Sequence, residues 1–368
     1  TAVGSEALGA NTTGHSGVSV GTNALAANTT GIRNTAVGYN ALTANTTANY
    51  NTALGFVALA ATTTGANNTG LGYASLENCT GDRNVSVGMY SGTGLTSGSD
   101  NTLLGYLAGN AAITGAGNTA VGAEAYLVGT SGTRNVAVGG GALNANTTAS
   151  YNTAVGYDAL GANTTGTPNV AVGYAALAAN TTAINSVAVG AYALDAQTTA
   201  GYNTAIGYNA LSAITTSYNC VAVGSTAGAL NTAHNLTAIG ANCLDANTTG
   251  AENTGLGSHA LTVNTTGAGL TALGHEALDA NTTANHNVAV GRSCLGANTT
   301  GSENTAVGTY SLDANTTAAN NTAVGYQAQT SSTTGTLNTS VGYYAGWALT
   351  TGDNNICIGK DSGITGSP

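Results

Sequence analysis

Charge is what this 368-residue chain has least of. Only 5% of its residues are Asp, Glu, Lys or Arg, and five of those are basic: Arg33, Arg83, Arg134, Arg292 and Lys360. Five scattered cations cannot track a phosphate backbone, and the net charge of −10 would repel one, so nucleic-acid binding is excluded as a main role. Proline occurs twice; Met, Trp and Phe once each. No apolar run reaches the 18 or so residues that span a bilayer, so no membrane helix is expected. The five cysteines, Cys79, Cys220, Cys243, Cys294 and Cys357, are odd in number and far apart. Cys243 and Cys294 share a position in the repeat described below but lie three repeats apart, about 14 Å at strand spacing and beyond the reach of a disulfide. The cysteines therefore read as small core residues. H-E-x-x-H, a nucleophile elbow, paired CxxC and the G-G-x-G-x-D calcium nonapeptide are all missing, so an enzyme is not expected.

What is present is a period. A glycine preceded by Val, Leu or Ile recurs from Gly4 to Gly359, giving 22 glycines; 19 of the 21 intervals are 17 residues and two, Gly72 to Gly88 and Gly224 to Gly240, are 16. Taking that glycine as position zero, −1 is always aliphatic and +3 is always Ala, Ser or Cys. Position −2 is Ala, Ser or Gly except at Leu103 and Cys357, and +4 is Leu in 15 repeats. Asn then favours +7 and Thr +8 and +9, as in Asn45-Thr46-Thr47. A unit this short cannot hold two helices but fits one coil of a β-solenoid. N-T-A-V-G-Y reads as a first strand, A-L-x-A as a second and weaker one, and N-T-T-G as the turn whose Asn and Gly take the unusual backbone angles. The expected fold is all-β: a parallel β-solenoid of about 22 coils, one continuous domain over 1–368, stacked at ~4.8 Å into a rod of about 105 Å. Its least regular coils fall at about 88–135. Having no starting Met, signal segment or polar cap, the chain reads as a processed piece or a segment of a longer fibre.

Stacking sets like on like. Aligned Asn residues predict amide ladders. Tyr39, Tyr73, Tyr106, Tyr157, Tyr174, Tyr208, Tyr326 and Tyr343, all at +1, predict broken aromatic ladders with wet hydroxyls. Where +4 is Gly (Gly92, Gly109, Gly228, Gly346, Gly363) an aliphatic residue follows within a few positions (Leu95, Ile113, Leu230, Leu349, Ile364), which predicts a second turn type with a displaced core side chain. In the strand, Ala at −2 and Val at −1 point to opposite faces and neither face is charged. Sheets apolar on both faces are covered on both, and no disulfides complete the thin core. Self-association, expected as a homotrimer, is the remaining way to complete it.

The A-V-G core, as in Val187-Ala188-Val189-Gly190 and Thr204-Ala205-Ile206-Gly207, resembles the head repeats of trimeric autotransporter adhesins, which form trimeric left-handed parallel β-rolls. The longer string from Asn34 to Thr47, and the ending Thr350 to Lys360, resemble repeat regions of phage tail fibres and related microbial surface proteins. The resemblance implies a structural shaft of an elongated fibre on a virion or in the extracellular space, most directly a phage tail fibre serving host adhesion. Two other readings stay open. In one, the chain is a surface adhesin or filament whose Tyr, Asn and Thr columns contact cell-surface glycans or a receptor. In the other, the Thr columns order water as in ice-binding solenoids. Among single residues, His259 and His275 can approach each other beside Glu276, a possible metal or acid–base pair weighed against ordinary exposed corners; His15, His234 and His286 fall at unrelated positions. No catalytic, cofactor or metal residue is assigned. Asn-Thr-Thr recurs eleven times between Asn11 and Asn315, formally a glycosylation acceptor and equally a turn or ladder segment. Acidic +5 residues (Glu77, Asp195, Asp245, Asp279, Asp313) never occupy neighbouring coils, which avoids stacked like charge.

Overall fold

A computed structural model describes residues 1–111 and 113–363, and Ile364, one of the expected core replacements, lies outside them. Among the described residues there are 22 short strands and no helix. Contacts divide the chain into two compact units, Thr1–Asn185 and Ser186 onward. The first carries β1 (Ala2–Val3) and β2 (Val18–Val20) through β11 (Val170–Val172); the second carries β12 (Val187–Val189) through β22 (Ile356–Ile358). Within each unit successive strands pair in parallel at one fixed register, so Thr52, Ala53 and Leu54 face Thr69, Gly70 and Leu71, and Ala205 faces Ala222. This is the stacked-coil β-solenoid that the period predicts.

Each coil holds one strand, not two. The A-L-x-A segment is a pair of consecutive turns, closed in the second coil by Ala24 N–H to Gly21 C=O at 3.3 Å and Ala26 N–H to Asn23 C=O at 3.3 Å. Turns of this kind need φ > 0 at their third residue. Here that residue is +2 and then +4, for example Asn23 (φ 57°) and Leu25 (φ 52°). A third left-handed residue sits at +12, as at Arg33 and Tyr50 (φ 57° and 60°). The N-T-T-G stretch, expected to hold the unusual angles, has none at Asn28 or Gly31. A left-handed leucine costs about 1–2 kcal/mol. Burying its side chain returns about 1.5–3 kcal/mol, and Leu25, Leu42 and Leu59 are at most 1% exposed. Burial therefore outweighs the strain, and Leu holds a position that turn chemistry alone would give to Gly or Asn.

The same turn persists where +4 is glycine: Gly92, Gly109, Gly228 and Gly346 have φ of 57–65°. These coils differ in filling, not in turn type. A Cβ on Gly92 or Gly109 would sit 2.9 or 2.7 Å from the side chain of Leu103, so the one leucine at −2 occupies the room two glycines leave. Leu95 and Ile113 enter the core as expected. Leu230 does not: it is 55% exposed, and buried Leu236, beside Gly228, fills that space. The stretch around 88–135 keeps the strand register through β7 (Thr102–Leu104) and β8 (Thr119–Val121), and Tyr126 is buried there with its hydroxyl donating to Gly132 C=O at 3.1 Å.

Asparagine completes the interior. Position +7 forms the expected ladder: Asn264 Nδ2 donates to Asn247 Oδ1 (2.7 Å), Asn281 to Asn264 (2.8 Å) and Asn298 to Asn281 (3.1 Å). A second buried column at −4 ties neighbouring coils: Asn34 Nδ2 donates to Ala48 C=O (2.7 Å) while its Oδ1 accepts from Asn51 N–H (2.9 Å).

The zero-position glycines have φ near 130–145° through most of both units. A Cβ on Gly139 (φ 135°) would lie 2.5 Å from the carbonyl carbon of Gly156 in the next coil, whereas one on adjacent Gly140 would meet nothing nearer than Tyr157 Cδ2 at 3.4 Å. Gly139→Ala is therefore expected to destabilise the fold by about 3 kcal/mol or more, and Gly140→Ala to leave it within about 0.5 kcal/mol. Thermal melts of the two variants check this, and equal melts would refute the stacking account.

Candidate interaction surface

Side chains of the extended stretch alternate, and the alternation sorts them by chemistry. Position −2 points inward: Ala36, Ala53, Ala137 and Ala205 are fully buried. Positions −3 and −1 point outward. Every −3 residue is Thr, Val or Ile, every −1 residue is Val, Leu or Ile, and many are more than one-third exposed: Val18 38%, Leu54 46%, Ile206 41% and Leu256 42%. At +1 this face is bordered by aromatics. Tyr39, Phe56 and Tyr73 stack with centroids 5.1 and 5.0 Å apart at 14° and 6°, and Tyr157 stacks on Tyr174 at 5.6 Å and 11°. The aromatic ladder thus forms, and its rings cover each other's faces.

None of the 15 carboxylates falls at −3, −1 or +1. They lie at +2, +5 and +10 to +12. Each of the five cations meets a partner about one coil on or beside it. Arg33 and Arg134 lie over Tyr50 and Tyr151, and Arg292 lies over Tyr310. Arg83 grips Asp100 with two nitrogens at 2.6 and 2.9 Å, and Lys360 lies over Tyr343 and 3.8 Å from Asp361. An open notch of about 410 Å³ sits where Gly117 interrupts the +12 column, lined by Asp100, Ala116, Thr133 and Arg134. The charges at its rim are those already paired.

The sequence candidates for chemistry stay apart or turn away. His259 and His275 approach edge to face at 6.2 Å, and His275 Nδ1 is 3.4 Å from Glu276 Oε2. No third ligand joins them: among the described residues no group of three His, Cys, Asp or Glu could hold a metal. The Asn of Asn-Thr-Thr points inward in every coil but the first, so Asn28, Asn45 and Asn281 are sealed from any modifying enzyme in the folded chain, while Asn11 is exposed. The +8 threonine hydroxyl is engaged, as in Thr248 Oγ1 to Thr265 C=O at 2.8 Å and Thr265 Oγ1 to Thr282 C=O at 3.0 Å, while the +9 threonines are exposed. Among the described residues no helix is long and apolar enough to cross a membrane. No family model and no curated protein matches this chain.

All five cysteines are free and buried. Burial pushes the thiol of Cys79 up to about 11 and those of Cys243 and Cys294 up to about 12. Thiolate being the reactive form, a thiol reagent is expected to label none of the three until the chain unfolds. Labelling in step with the loss of circular dichroism supports this, and rapid labelling of the native chain refutes it.

The half-buried +5 carboxyls Asp195, Asp245, Asp279 and Asp313 have raised pKa values, first through burial. Neighbouring backbone amides oppose the rise at the first three, His259 opposes it at Asp245, and Glu276 and Asp313 add to it at Asp279. A carboxyl whose folded value exceeds the ordinary 3.8 is penalised when charged; the penalty is full above the folded value and fades as pH falls through it. Stability should therefore rise as pH falls from 7 toward 3.8. At lower pH, Asp100 and Asp353, held down by Arg83 and by Thr336, work the other way. The double variant Asp279→Asn, Asp313→Asn should melt higher at neutral pH and respond less to acid; a wild-type melt that only falls across this window would contradict the assignment.

Proposed function

We propose that this chain is a shaft segment of an elongated extracellular fibre, most directly a phage tail fibre on the virion surface, and that it works as a homotrimer. The carrying observation is that most interior asparagines are bonded coil to coil while, among the described residues, no group of three His, Cys, Asp or Glu could hold a metal, so the repeated coil has a mechanical role to offer. The Asn columns and the in-register strands resist sliding between coils. The shielded thiols and the sparse charge make the fold insensitive to redox conditions and salt, which suits a particle surface. Such a shaft holds a receptor-binding element away from the body that carries it.

A surface adhesin that binds glycans through its tyrosines is the alternative. Stacking weighs against it only in part: the facing sides of Tyr39, Phe56 and Tyr73 and of Tyr157 and Tyr174 are turned toward each other, while these rings remain 43–61% exposed and keep outer faces that a sugar could meet.

Cryo-electron microscopy of the purified chain tests the proposal. Particles with three-fold symmetry around parallel solenoids are the expected result. Isolated single solenoids at micromolar concentration would overturn the trimeric shaft. Retention on a glycan array by the wild type, lost on replacing Tyr157 and Tyr174 with Ala, would move the assignment to the adhesin.

A further inference from the structure

Resting on the structural reading above, we infer that copies of this chain pack against one another through the −3 and −1 columns of the strand face, and not through the turn faces. Four observations carry the assignment.

The first is area. In either unit about eleven coils present two outward β-branched or aliphatic side chains each. Outward residues such as Val18, Leu54, Ile206 and Leu256 stay 38–46% exposed, so an uncovered apolar strip repeats coil after coil within a unit, the kind of surface that marks a partner site.

The second is charge. With a net charge of −10, copies repel wherever carboxylates meet, and in each unit the strand face has no carboxylate at −3, −1 or +1. Joining two such faces brings no carboxylates together and meets only two cations, Arg292 and Lys360 at the +1 edge, whereas the turn faces carry all 15 carboxylates.

The third is shape. Position −3 exchanges Thr for Val freely, as at Thr69 and Val85 or Thr271 and Val288, and admits nothing polar beyond Thr. The two side chains share one outline and differ in a hydroxyl. A surface read for its hydroxyls would not tolerate the exchange; one packed for its outline would.

The fourth is the border. Tyr, Phe and Met at +1 edge the aliphatic strip through Tyr39, Phe56, Tyr73, Met89 and Tyr106, and aromatic and Met enrichment with depleted carboxylates is the composition of interface cores.

The test is the mass in solution. Wild-type chain is expected to scatter light as a multiple of 35.5 kDa, three on the reading above. The double variant Val138→Glu, Val290→Glu, with one outward charge in each unit, should fall to 35.5 kDa while keeping the wild-type circular dichroism spectrum. The matched variant Thr148→Glu, Thr300→Glu, on the exposed +9 column, should keep the wild-type mass. If the wild type assembles and the strand-face variant assembles equally well, the face assignment falls and the trimeric shaft stands. If the +9 variant alone dissociates, the interface lies on the turn face. A wild type of 35.5 kDa at every concentration overturns both. Should the strand-face glutamates prevent folding, Val138→Ala with Val290→Ala trims the outline at −1 without adding charge; a weakened association constant supports the face and an unchanged one counts against it.

Discussion

Every coil must lie on another coil of nearly the same outline. This constraint governs the rest of the structure, and it is sharpest at position zero, where backbone approaches backbone and a Cβ on Gly139 would enter the carbonyl group of Gly156. Once coils stack that closely, each interior side chain faces the equivalent residue above and below. Ala at −2 and Ala at +3 fit because they are small, and Asn at +7 fits because an amide can donate upward and accept from below. Departures come in matched sets. Leu103 sits between Gly92 and Gly109, Cys243 fills the room beside Gly255, and Cys357 sits against Gly363. Volume is conserved locally even where the consensus is not, as close packing demands.

The same constraint explains the turns. A 17-residue coil with a single strand must reverse within a few residues, and consecutive left-handed positions at +2 and +4 do this. Because +4 also points into the core, its side chain must be large and either apolar or, as at Gln329, bonded to Asn321 and Ser340. Leucine satisfies packing at the expense of backbone preference, while glycine satisfies the backbone and requires a filler from elsewhere. Both solutions occur, and burial decides which residue supplies the missing volume: Leu95 and Ile113 in their own coils, Leu236 near Gly228.

Architecture was legible in the sequence because period, small residues and alternating apolar columns all express one geometry. The inward Ala and outward Val of the strand, the Asn ladder and the aromatic stacks could be read from register alone. The turns could not. Gly and Asn in N-T-T-G looked like left-handed residues by propensity, but Gly31 has no left-handed angle and its place is held by Ala48 in the next coil, and the left-handed angles went to Leu, Asn and Tyr at other positions. The −4 asparagines were visible as consensus without a reason. Their reason is a pair of bonds, to a carbonyl 14 residues on and from an amide 17 residues on, that exists only after coils stack. Leu230 was misplaced for a similar cause: sequence distance suggested it as the filler beside Gly228, and the 16-residue coil brings Leu236 there instead.

The outward strand face has a different origin. Nothing in intracoil packing requires −3 and −1 to be apolar, since both point away from the core; a solvated sheet would alternate with polar residues there. Thr alone would satisfy β-propensity and water together, and at −3 it holds most coils, yet Val replaces it in seven. At −1 even Thr is absent. Strand propensity and like-on-like stacking favour Val, Leu and Ile there, and the inferred contact with a second copy would add a reason for excluding Thr. The carboxylates, displaced to +2, +5 and the +10 to +12 corners, then keep the remaining faces wet and mutually repulsive. On the inferred packing, one sequence pattern does two things: it closes a thin core along the inner face of each strand and leaves the outer face for assembly.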